Sequence, residues 1–516
     1  MRLLLRKSAV YFAILTCAAL LLRLFFALRY PSVYGDSFLY GDLAKNWLEH
    51  GILGTSQAAG IRPSLIRLPG YPAFLAAIWA IRGIEHYRAV LLVQVVIDTL
   101  TCFLICDLAW RGWRSARAAK VAFLLAALCP FTANYTACAL PETLAIFFAA
   151  LALDLAWRAL DSDRLADWAA CGAATSAGIL VRPDGGILLA IMEIYLFLRY
   201  FVPLGLRPRE PERDPCLRIA QARPWLQRAT LLAAVALAPL VPWTLRNWHD
   251  FHVLQPLAPR FAKDPDQYAP LGFERWAKTW IVDYASVSEV YWPLDGDELD
   301  LTKVPRRAFD SSQEEQAVQG LFARYNETRE WTPELDHDLD KIAEARIQRH
   351  PLRYYVLLPA VRIGDMWLRP RTEMLWQNDD RWWELKRHPL DSAVAMALGA
   401  VNLFYVGGAL LGAGWLFRPA RNQNQWQSAR GQSNDTDSWF PPNISTTPTW
   451  GLLFGWVLAR SLFLGTMGNP EPRYTLESYP VVILLAAALD TVVRGRGPAV
   501  SQKCAREQTG QAIGNR

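Results

Sequence analysis

Apolar stretches of about 20 residues recur along this sequence of 516 residues. A helix of about this length is needed to cross the hydrocarbon core of a bilayer. Backbone groups in lipid must be hydrogen-bonded within their own segment, so the stretches predict helices and an all-α polytopic membrane protein. We expect about ten spans, near positions 8–28, 88–109, 119–135, 141–158, 164–181, 184–202, 228–246, 391–417, 449–466 and 475–493.

The composition fits spans that are separated by sizeable water-exposed segments, because 52% of the residues are hydrophobic and 20% are charged. If the chain crosses the membrane ten times, the basic clusters and both termini all lie on one face. The positive-inside rule identifies this face as cytoplasmic. Topology therefore explains the net charge of +6, and we expect membrane lipids rather than nucleic acid as partners. The clusters comprise Arg2, Arg6, Lys7, Arg111, Arg114, Arg117, Lys120, Arg207, Arg209, Arg213, Arg218, Arg223, Arg228, Arg494, Arg496, Lys503 and Arg506.

Three apolar stretches are not ordinary spans. The first stretch of the chain resembles a signal peptide, but its length and the lack of a convincing cleavage site predict an uncleaved anchor. Residues 69–81 are short and bracketed by Arg67 and Arg82, which favours a helix on the membrane surface. Residues 351–368 contain several charges and Pro359, so we interpret them in the same way.

The spans and the polar stretches between them predict the domain organisation. The long external region, residues 247–390, contains no cysteine, which excludes a disulfide framework there. We expect this region to be helical near "ELDHDLDKIAEARIQRH". The cytoplasmic loop is rich in Asn, Gln, Ser and Pro and is expected to be disordered. The predicted parts are an N-terminal transmembrane module 1–246 with a first external loop 29–87, an external region 247–390, C-terminal spans 391–493 with the cytoplasmic loop 418–447, and a cytoplasmic tail 494–516.

Polar residues inside the first two predicted spans are costly in lipid and should face other helices. Arg23 lies in the first span, while Gln94 and Asp98 lie in the second. Gln94 and Asp98 are four residues apart and share one helix face. We expect them to hold helices together rather than to relay protons.

Residues that can do chemistry collect on the predicted external face. For any single arginine here the alternative is a structural role at the end of a span. Glu142 follows Pro141, so its carboxylate could also simply favour a helix start. The set comprises Asp36, Asp42, Glu142, Arg182, Asp184, Arg246 and the segment "NPEPRY" at 469–474.

Asp36 and Asp42 form an apparent acidic pair in "YGDSFLYGDLAKNWLEHG". Leu43, Ala44, Trp47 and Leu48 make one face of a short amphipathic helix, which favours Asp42 as a first-turn acid or cap. Asp36 lies next to the end of the first span and is the better candidate for catalysis.

An external carboxylate close to several arginines suits a sugar donor that is linked to a lipid phosphate. Arginines bind phosphate bidentately and stabilise it as a leaving group. The carboxylate can take the proton of an acceptor hydroxyl. Partial desolvation at the membrane boundary should raise the pKa of this carboxylate towards a useful base strength.

At these residues the sequence resembles the GT-C superfamily of membrane glycosyltransferases, of the family 39 type that includes protein O-mannosyltransferases and lipid A aminoarabinose transferases. The resemblance implies a GT-C bundle with external juxtamembrane helices and an external loop domain. It covers most of the chain except residues 250–390 and the polar cytoplasmic loop. The motifs are "GDSFLYGDLAKNWLEHG", "RLPGYPAFLA" at 67–76, "LPETLAIFFAALAL" at 140–153, "LVRPDGGILL" at 180–189, "VPWTLRNW" at 241–248 and "EPRYTLESYP" at 471–480.

The resemblance implies roles for individual residues. It places the catalytic aspartate of the family at Asp36, with Tyr40 in the aromatic position that follows it, and a second acid at Glu142. The Arg-Tyr element falls on Arg473 and Tyr474, and both of these residues, like Tyr40, would bind substrate, with Arg473 in contact with the donor phosphate.

Two further positions qualify this assignment. Arg182 is a weaker candidate than the Arg-Tyr arginine for contact with the phosphate. Ser37 stands where the protein mannosyltransferases carry the second acid of a pair, which argues against protein mannosylation.

The resemblance implies a polyprenyl-phosphate sugar donor, transfer with inversion on the external face, and a lipid, glycan or protein acceptor. It suggests a bacterial inner membrane with the active site facing the periplasm or exterior. No cofactor is implied with certainty, and a divalent metal stays open because no ligand spacing defines a site. A transporter of an anionic lipid or solute is the alternative, and a catalytically silent scaffold is a third.

Overall fold

Helices of the structure follow the apolar stretches of the sequence. The computed structural model describes residues 2–206, 215–294, 296–373, 389–416 and 449–489. The predicted cytoplasmic loop 418–447 and tail 494–516 lie outside the described residues, so the division of the chain into domains stays a prediction.

The first half of the chain is helical apart from one antiparallel hairpin. Its strands, β1 (Gly54–Gln57) and β2 (Gly60–Pro63), pair Gly54 with Pro63. The helices are α1 (Arg2–Lys7), α2 (Ala9–Arg29), α3 (Asp36–His50), α4 (Gly70–Arg82), α5 (Tyr87–Trp113), α6 (Ala116–Ala127), α7 (Pro130–Tyr135), α8 (Glu142–Ser162), α9 (Leu165–Val181), α10 (Gly186–Leu206), α11 (Pro215–Leu237) and α12 (Leu240–Phe251).

The second half continues with shorter helices and then returns to long apolar ones. Helical turns of other types include Pro183–Gly185, Val287–Tyr291, Trp292–Leu294, Leu301–Lys303, Arg306–Ala308, Arg353–Leu357 and Pro472–Ser478. The α-helices are α13 (Leu271–Lys278), α14 (Tyr284–Ser286), α15 (Ser312–Thr328), α16 (Pro333–Arg349), α17 (Leu358–Leu368), α18 (Pro389–Leu416), α19 (Thr449–Gly465) and α20 (Tyr479–Ala486).

Several helices can cross a membrane by length and composition. Among the described residues, α2, α5, α8 and α18 are long and apolar enough, and α11 with α12 make a fifth candidate that is bent by 43°. The helices α9 and α19 are apolar but have only 17 residues each. The chain is therefore an all-α, multi-pass membrane protein. The count of ten spans stays a prediction.

Prolines explain where the structure departs from the predicted spans. The stretch 119–135 is not one helix, because Cys129 is extended before Pro130, and α6 and α7 lie on either side of the break. The last stretch starts as the 3₁₀ segment Pro472–Ser478, and its α-helix begins only at Tyr479.

The polar residues inside the first two spans hold helices together, as predicted. Arg23 Nε lies 2.7 Å from Asp98 Oδ2. Gln94 Oε1 accepts a hydrogen bond of 2.9 Å from Tyr71 on α4, and its amide donates to the carbonyl of Cys138 at 2.7 Å. The predicted packing role of Gln94 and Asp98 is confirmed.

The segment 271–347 has a hydrophobic core of its own, which includes Phe273, Trp276 and Phe322. Its helix α16 confirms the helix predicted around "ELDHDLDKIAEARIQRH". The buried Arg362 of α17 joins this segment to α19, because its guanidinium donates to the carbonyls of Ile281 (2.8 Å), Lys278 and Gly465 (3.4 Å).

Candidate active site

Asp36 is the first residue of α3. Gly35 precedes it with φ 51°, in the left-handed region that favours glycine, and turns the chain into the helix. The carboxylate lies between two arginines, with Oδ1 3.0 Å from Arg67 Nη2 and Oδ2 3.7 Å from Arg473 Nη2. The side chain is 38% exposed, so a ligand can reach it.

A backbone contact brings the Asp36 segment close to Glu142. Ser32 follows α2 and forms a parallel bridge with Cys138, which precedes α8. Glu142 begins α8, and its side chain is 2% exposed. Its Oε1 lies 3.1 Å from Arg182 Nη1 and 3.7 Å from Arg473 Nε, while Oε2 is buried without a hydrogen-bond partner among the described residues.

Arg182 follows the last residue of α9 and pairs with acidic groups from three parts of the chain. Besides Glu142, its Nε lies 3.2 Å from Asp184 Oδ1 and 3.2 Å from Glu477 Oε1. Its guanidinium stacks over the ring of Tyr474, 5.0 Å from the centroid.

Arg473 lies in the 3₁₀ segment Pro472–Ser478 and faces three carboxylates. Its Nε forms an ion pair of 2.6 Å with Glu471 Oε2, in addition to the contacts with Asp36 and Glu142. Tyr474 supports this pair, because its hydroxyl donates to Glu471 Oε1 at 2.6 Å.

Tyr40 contacts an arginine of the site and a neighbouring tyrosine. It is buried one turn after Asp36, and the guanidinium of Arg67 lies over its ring at 5.6 Å. The ring also packs edge-on against Tyr71 at 5.0 Å. Tyr40 therefore orients Arg67.

The structure thus brings the sequence-predicted residues Asp36, Glu142, Arg182, Arg473 and Tyr474 together, with Tyr40 beneath Arg67. Sequence reasoning missed Arg67, Arg460, Glu471 and Glu477. We call the ionic groups the arginine–carboxylate cluster, which comprises Arg67, Arg182, Arg460, Arg473, Asp36, Glu142, Asp184, Glu471 and Glu477.

The missed residues left different signals in the sequence. Arg67 opens the motif "RLPGYPAFLA", and Glu471 and Glu477 fall within "EPRYTLESYP". Arg460 is a charge inside a predicted span, which is itself a signal of function or pairing. It is 1% exposed and lies 2.8 Å from Asp184 Oδ2 and 2.7 Å from Glu477 Oε1.

Two candidates have structural roles instead. Asp42 is not a first-turn acid, because α3 begins at Asp36, and its carboxylate accepts bonds of 2.6 Å from the amide and the hydroxyl of Ser56 in β1. Arg246 donates to the carbonyls of Leu53 (2.7 Å) and Ser64 (2.9 Å), which fixes the loop around the hairpin.

The pKa of Asp36 moves opposite to the sequence-based expectation. Partial burial raises it, but the positive charges of Arg67 and Arg473 outweigh burial, so the pKa lies below its ordinary value. Burial raises the pKa of Glu471 above its ordinary value even though Arg473 opposes this shift. Asp36 is therefore strongly ionised, whereas the neighbouring Glu471 protonates more easily than an ordinary glutamate.

The structure gives no direct support for a metal site. Among the described residues, no group of three or more His, Cys, Asp or Glu side chains is arranged to hold a metal ion. Divalent metal use stays an untested expectation.

Part of the chain matches a known family in sequence. Residues 63–203 match the sequence model of the dolichyl-phosphate-mannose-protein mannosyltransferases. This range includes Arg67, Glu142 and Arg182, and lies between Asp36 and Arg473 in the chain. No curated protein matches the sequence significantly.

Solved structures that match this chain are distant in sequence, and their TM-scores are below 0.5. The archaeal oligosaccharyltransferase AglB from Archaeoglobus fulgidus, in complex with an inhibitory peptide and a dolichol-phosphate, is 14% identical, with a TM-score of 0.47 over 99% of this chain and 52% of its own. ArnT from Cupriavidus metallidurans bound to undecaprenyl phosphate is 13% identical, with a TM-score of 0.37 over 94% of this chain and 78% of its own.

The chain thus spans about half the length of the archaeal oligosaccharyltransferase. The family match to residues 63–203 confirms the resemblance that the ordered motifs predicted, namely to the GT-C superfamily of membrane glycosyltransferases.

Proposed function

We propose that the protein is an integral-membrane glycosyltransferase that moves a monosaccharide from a polyprenyl-phosphate donor to an acceptor hydroxyl. The observation that supports this most is the position of Asp36, a reachable carboxylate with one arginine at each oxygen. The arginines offer the charge that a lipid phosphate needs, and the carboxylate is a base at the same place.

In this mechanism Arg67 and Arg473 bind the donor phosphate. The side chain of Arg67 is the more exposed of the two, at 21% against 13% for Arg473. Among the described residues, Arg67 forms an ion pair with Asp36 alone. We therefore assign the first contact with the phosphate to Arg67. Arg473 then holds the phosphate as negative charge develops on the leaving group.

Asp36 takes the proton from the acceptor hydroxyl as that oxygen attacks the anomeric carbon. The new carbon–oxygen bond forms while the bond from the anomeric carbon to the phosphate oxygen breaks, which releases polyprenyl phosphate. A single displacement inverts the anomeric configuration. When Arg67 and Arg473 turn to the phosphate, Asp36 shares their charge with it, so the pKa of Asp36 should rise again and donor binding strengthens the base.

Glu142 has a different role from the one the resemblance implies. Its burial keeps it away from a ligand, and its Oε1 holds both Arg182 and Arg473. We therefore assign it to positioning the arginines. Arg182 supports the segment Pro472–Ser478, which carries Arg473, because its guanidinium lies over the ring of Tyr474.

The basic clusters of the sequence support an orientation for this reaction. By the positive-inside rule, they favour a cytoplasmic location for the opposite face of the protein. We propose that the site faces the exterior or periplasm and that the protein resides in a bacterial inner membrane. Whether the acceptor is a lipid, a glycan or a protein depends on surfaces beyond the cluster.

The test is the substitution Asp36→Asn in cells that otherwise lack the protein. Polyprenyl-phosphate sugars that accumulate on deletion identify the donor, and Asp36→Asn should slow its consumption by about 100- to 10,000-fold. Asp42→Asn is the control, because that carboxylate holds the hairpin. Wild-type consumption in the Asp36→Asn variant would overturn the assignment.

The same cells distinguish the transporter alternative. A transporter moves its substrate unchanged, so deletion should alter the sidedness of an anionic lipid or solute without changing the amount of sugar transferred. A glycosyltransferase should instead lose the glycosylated product when Asp36 is replaced.

A further inference from the structure

Arg473 is already surrounded by negative charge before any phosphate arrives. Asp36, Glu142 and Glu471 come from three segments of the chain and all lie within 3.7 Å of its guanidinium. Glu471 is the nearest, at 2.6 Å, and its side chain is 3% exposed. A donor phosphate that binds Arg473 must therefore compete with a buried carboxylate.

The charges of the cluster make this competition costly. Its described members are five carboxylates and four arginines, so the arginines are already neutralised. A phosphate adds at least one further negative charge within a few ångströms. Like charges at about 4–6 Å in a partly buried place shift one of the groups to its neutral form.

Glu471 is the acid that can become neutral without disturbing the others. Asp36 must stay ionised to act as a base, and Glu142 holds Arg182 as well as Arg473. Glu471 already accepts the hydroxyl of Tyr474, and a protonated carboxyl group can keep that bond through its carbonyl oxygen.

The surroundings of Glu471 favour uptake of a proton once Arg473 is engaged elsewhere. Among the described residues, the charged and titratable groups that interact with it most strongly are Arg473 and Tyr474 on its own segment and Asp36 on α3. Tyr291 faces it from the turn Val287–Tyr291 and donates its hydroxyl to Glu274. Arg473 is the cation among these groups, and burial already raises the pKa of Glu471.

We propose that Glu471 is a stand-in for the donor phosphate: its carboxylate occupies Arg473 in the empty site, and it takes up one proton from water when a lipid phosphate displaces it. This inference rests on the proposed function. The proton returns to water when polyprenyl phosphate leaves and the ion pair forms again. Glu471 would thus keep Arg473 neutralised and in place between turnovers.

The experiment measures binding of farnesyl phosphate to the full-length protein in nanodiscs between pH 5.5 and 8.5, with farnesol as the uncharged probe. Wild type and Glu471→Gln are compared at each pH. Above the pKa of Glu471, the ratio of the wild-type Kd to the variant Kd should grow by up to tenfold per pH unit. The second ionisation of the phosphate, near pH 6, affects both proteins equally and cancels in the ratio.

Glu314→Gln is the matched control, because Glu314 is also a buried glutamate paired with arginine, at Arg346 and Arg349. The ratio of the wild-type Kd to the Kd of Glu314→Gln should not change with pH. A Glu471→Gln variant that binds more weakly than wild type, or a ratio that is constant with pH, would overturn the role of Glu471.

A second measurement uses the wild-type protein alone and does not depend on folding of the variant. Calorimetry at pH 8 in buffers of different ionisation enthalpy should show uptake of about one proton per farnesyl phosphate bound; no uptake, or release, contradicts the proposal. If wild type binds farnesyl phosphate no better than farnesol, the proposed function itself fails. If Arg473→Ala loses binding while Glu471→Gln follows wild type, only the role of Glu471 fails.

Discussion

Asp36 is held as an anion by its two arginines, and this sets the acid side of its pH dependence. The pKa lies below the ordinary aspartate value of 3.8 because Arg67 and Arg473 outweigh burial. A group with a lowered pKa stays ionised down to that pKa and loses its charge only below it. The proposed base is therefore available over the whole neutral range.

Replacement of Arg67 by Gln should move the acid limb of kcat/KM to higher pH. Without that cation the carboxylate keeps the burial that raises its pKa and loses the nearest charge that lowers it. The pH profile of kcat/KM for the donor, measured at saturating acceptor, reports this pKa in the enzyme form that has not yet bound the donor.

The same Arg67→Gln variant should raise KM for the donor by about 10- to 100-fold, since a hydrogen bond to a charged group contributes roughly 1.5–3 kcal/mol. Arg82→Gln, at the exposed end of α4, is the control and should match wild type in both measurements. An unshifted acid limb in Arg67→Gln would show that Arg67 does not govern Asp36.

Among the helices, α4 is positioned by a close backbone approach at its first residue. A Cβ atom at Gly70 would lie 2.5 Å from the carbonyl carbon and oxygen of Leu180, near the end of α9. Arg67 precedes α4 and Arg182 follows α9, so this contact sets the distance between two arginines of the cluster.

The substitution Gly70→Ala should destabilise the protein by about 1–3 kcal/mol, because rigid backbone must move to admit the methyl group. Thermal unfolding in detergent measures the effect. Gly320→Ala in α15 is the matched control, since nothing lies within 4 Å of the added Cβ, and alanine should there be neutral or slightly stabilising. Equal midpoints for the two variants would contradict this account of the α4–α9 contact.

Sequence patterns predicted the elements better than the pairings within the site. Length and hydropathy placed α2, α5, α8 and α18, and the short stretch before Arg82 became α4 as expected. The prediction that Asp42 lies in the first turn of its helix was wrong, because α3 already begins at Asp36. A capping pattern in the sequence does not determine at which turn the helix begins.

Other features of the site depend on contacts far apart in the chain. Arg460 meets Asp184 across 276 positions of sequence, which no local pattern reveals. The lowered pKa of Asp36 likewise depends on Arg473, which only the fold brings near.

At the scale of the whole molecule, Arg362 connects the segment 271–347 to the end of α19. Its three carbonyl acceptors lie in two separate regions, so the guanidinium bridges them. Burial lowers the pKa of Arg362 to about 10, which still leaves it charged at neutral pH.

Replacement of Arg362 by Met should loosen this connection while the helix bundle stays folded. Three buried carbonyl groups lose their donor, which exposes them to water and increases local opening. Hydrogen exchange should speed up in α13 and at the end of α19, and stay unchanged in α5 and α8. Arg324→Met, a half-exposed arginine of α15, is the control and should leave all four helices unaffected.

The cluster also links activity to the order in which the ribosome makes the chain. Asp36, Arg67, Glu142 and Arg182 are synthesised first, and their pairs can form as soon as α8 and α9 are inserted. Arg473 follows Arg182 by 291 positions and is therefore synthesised later. On the proposed mechanism, a nascent chain that has not reached Arg473 already carries its base but cannot hold the leaving group, so synthesis of the segment Pro472–Ser478 is what switches catalysis on.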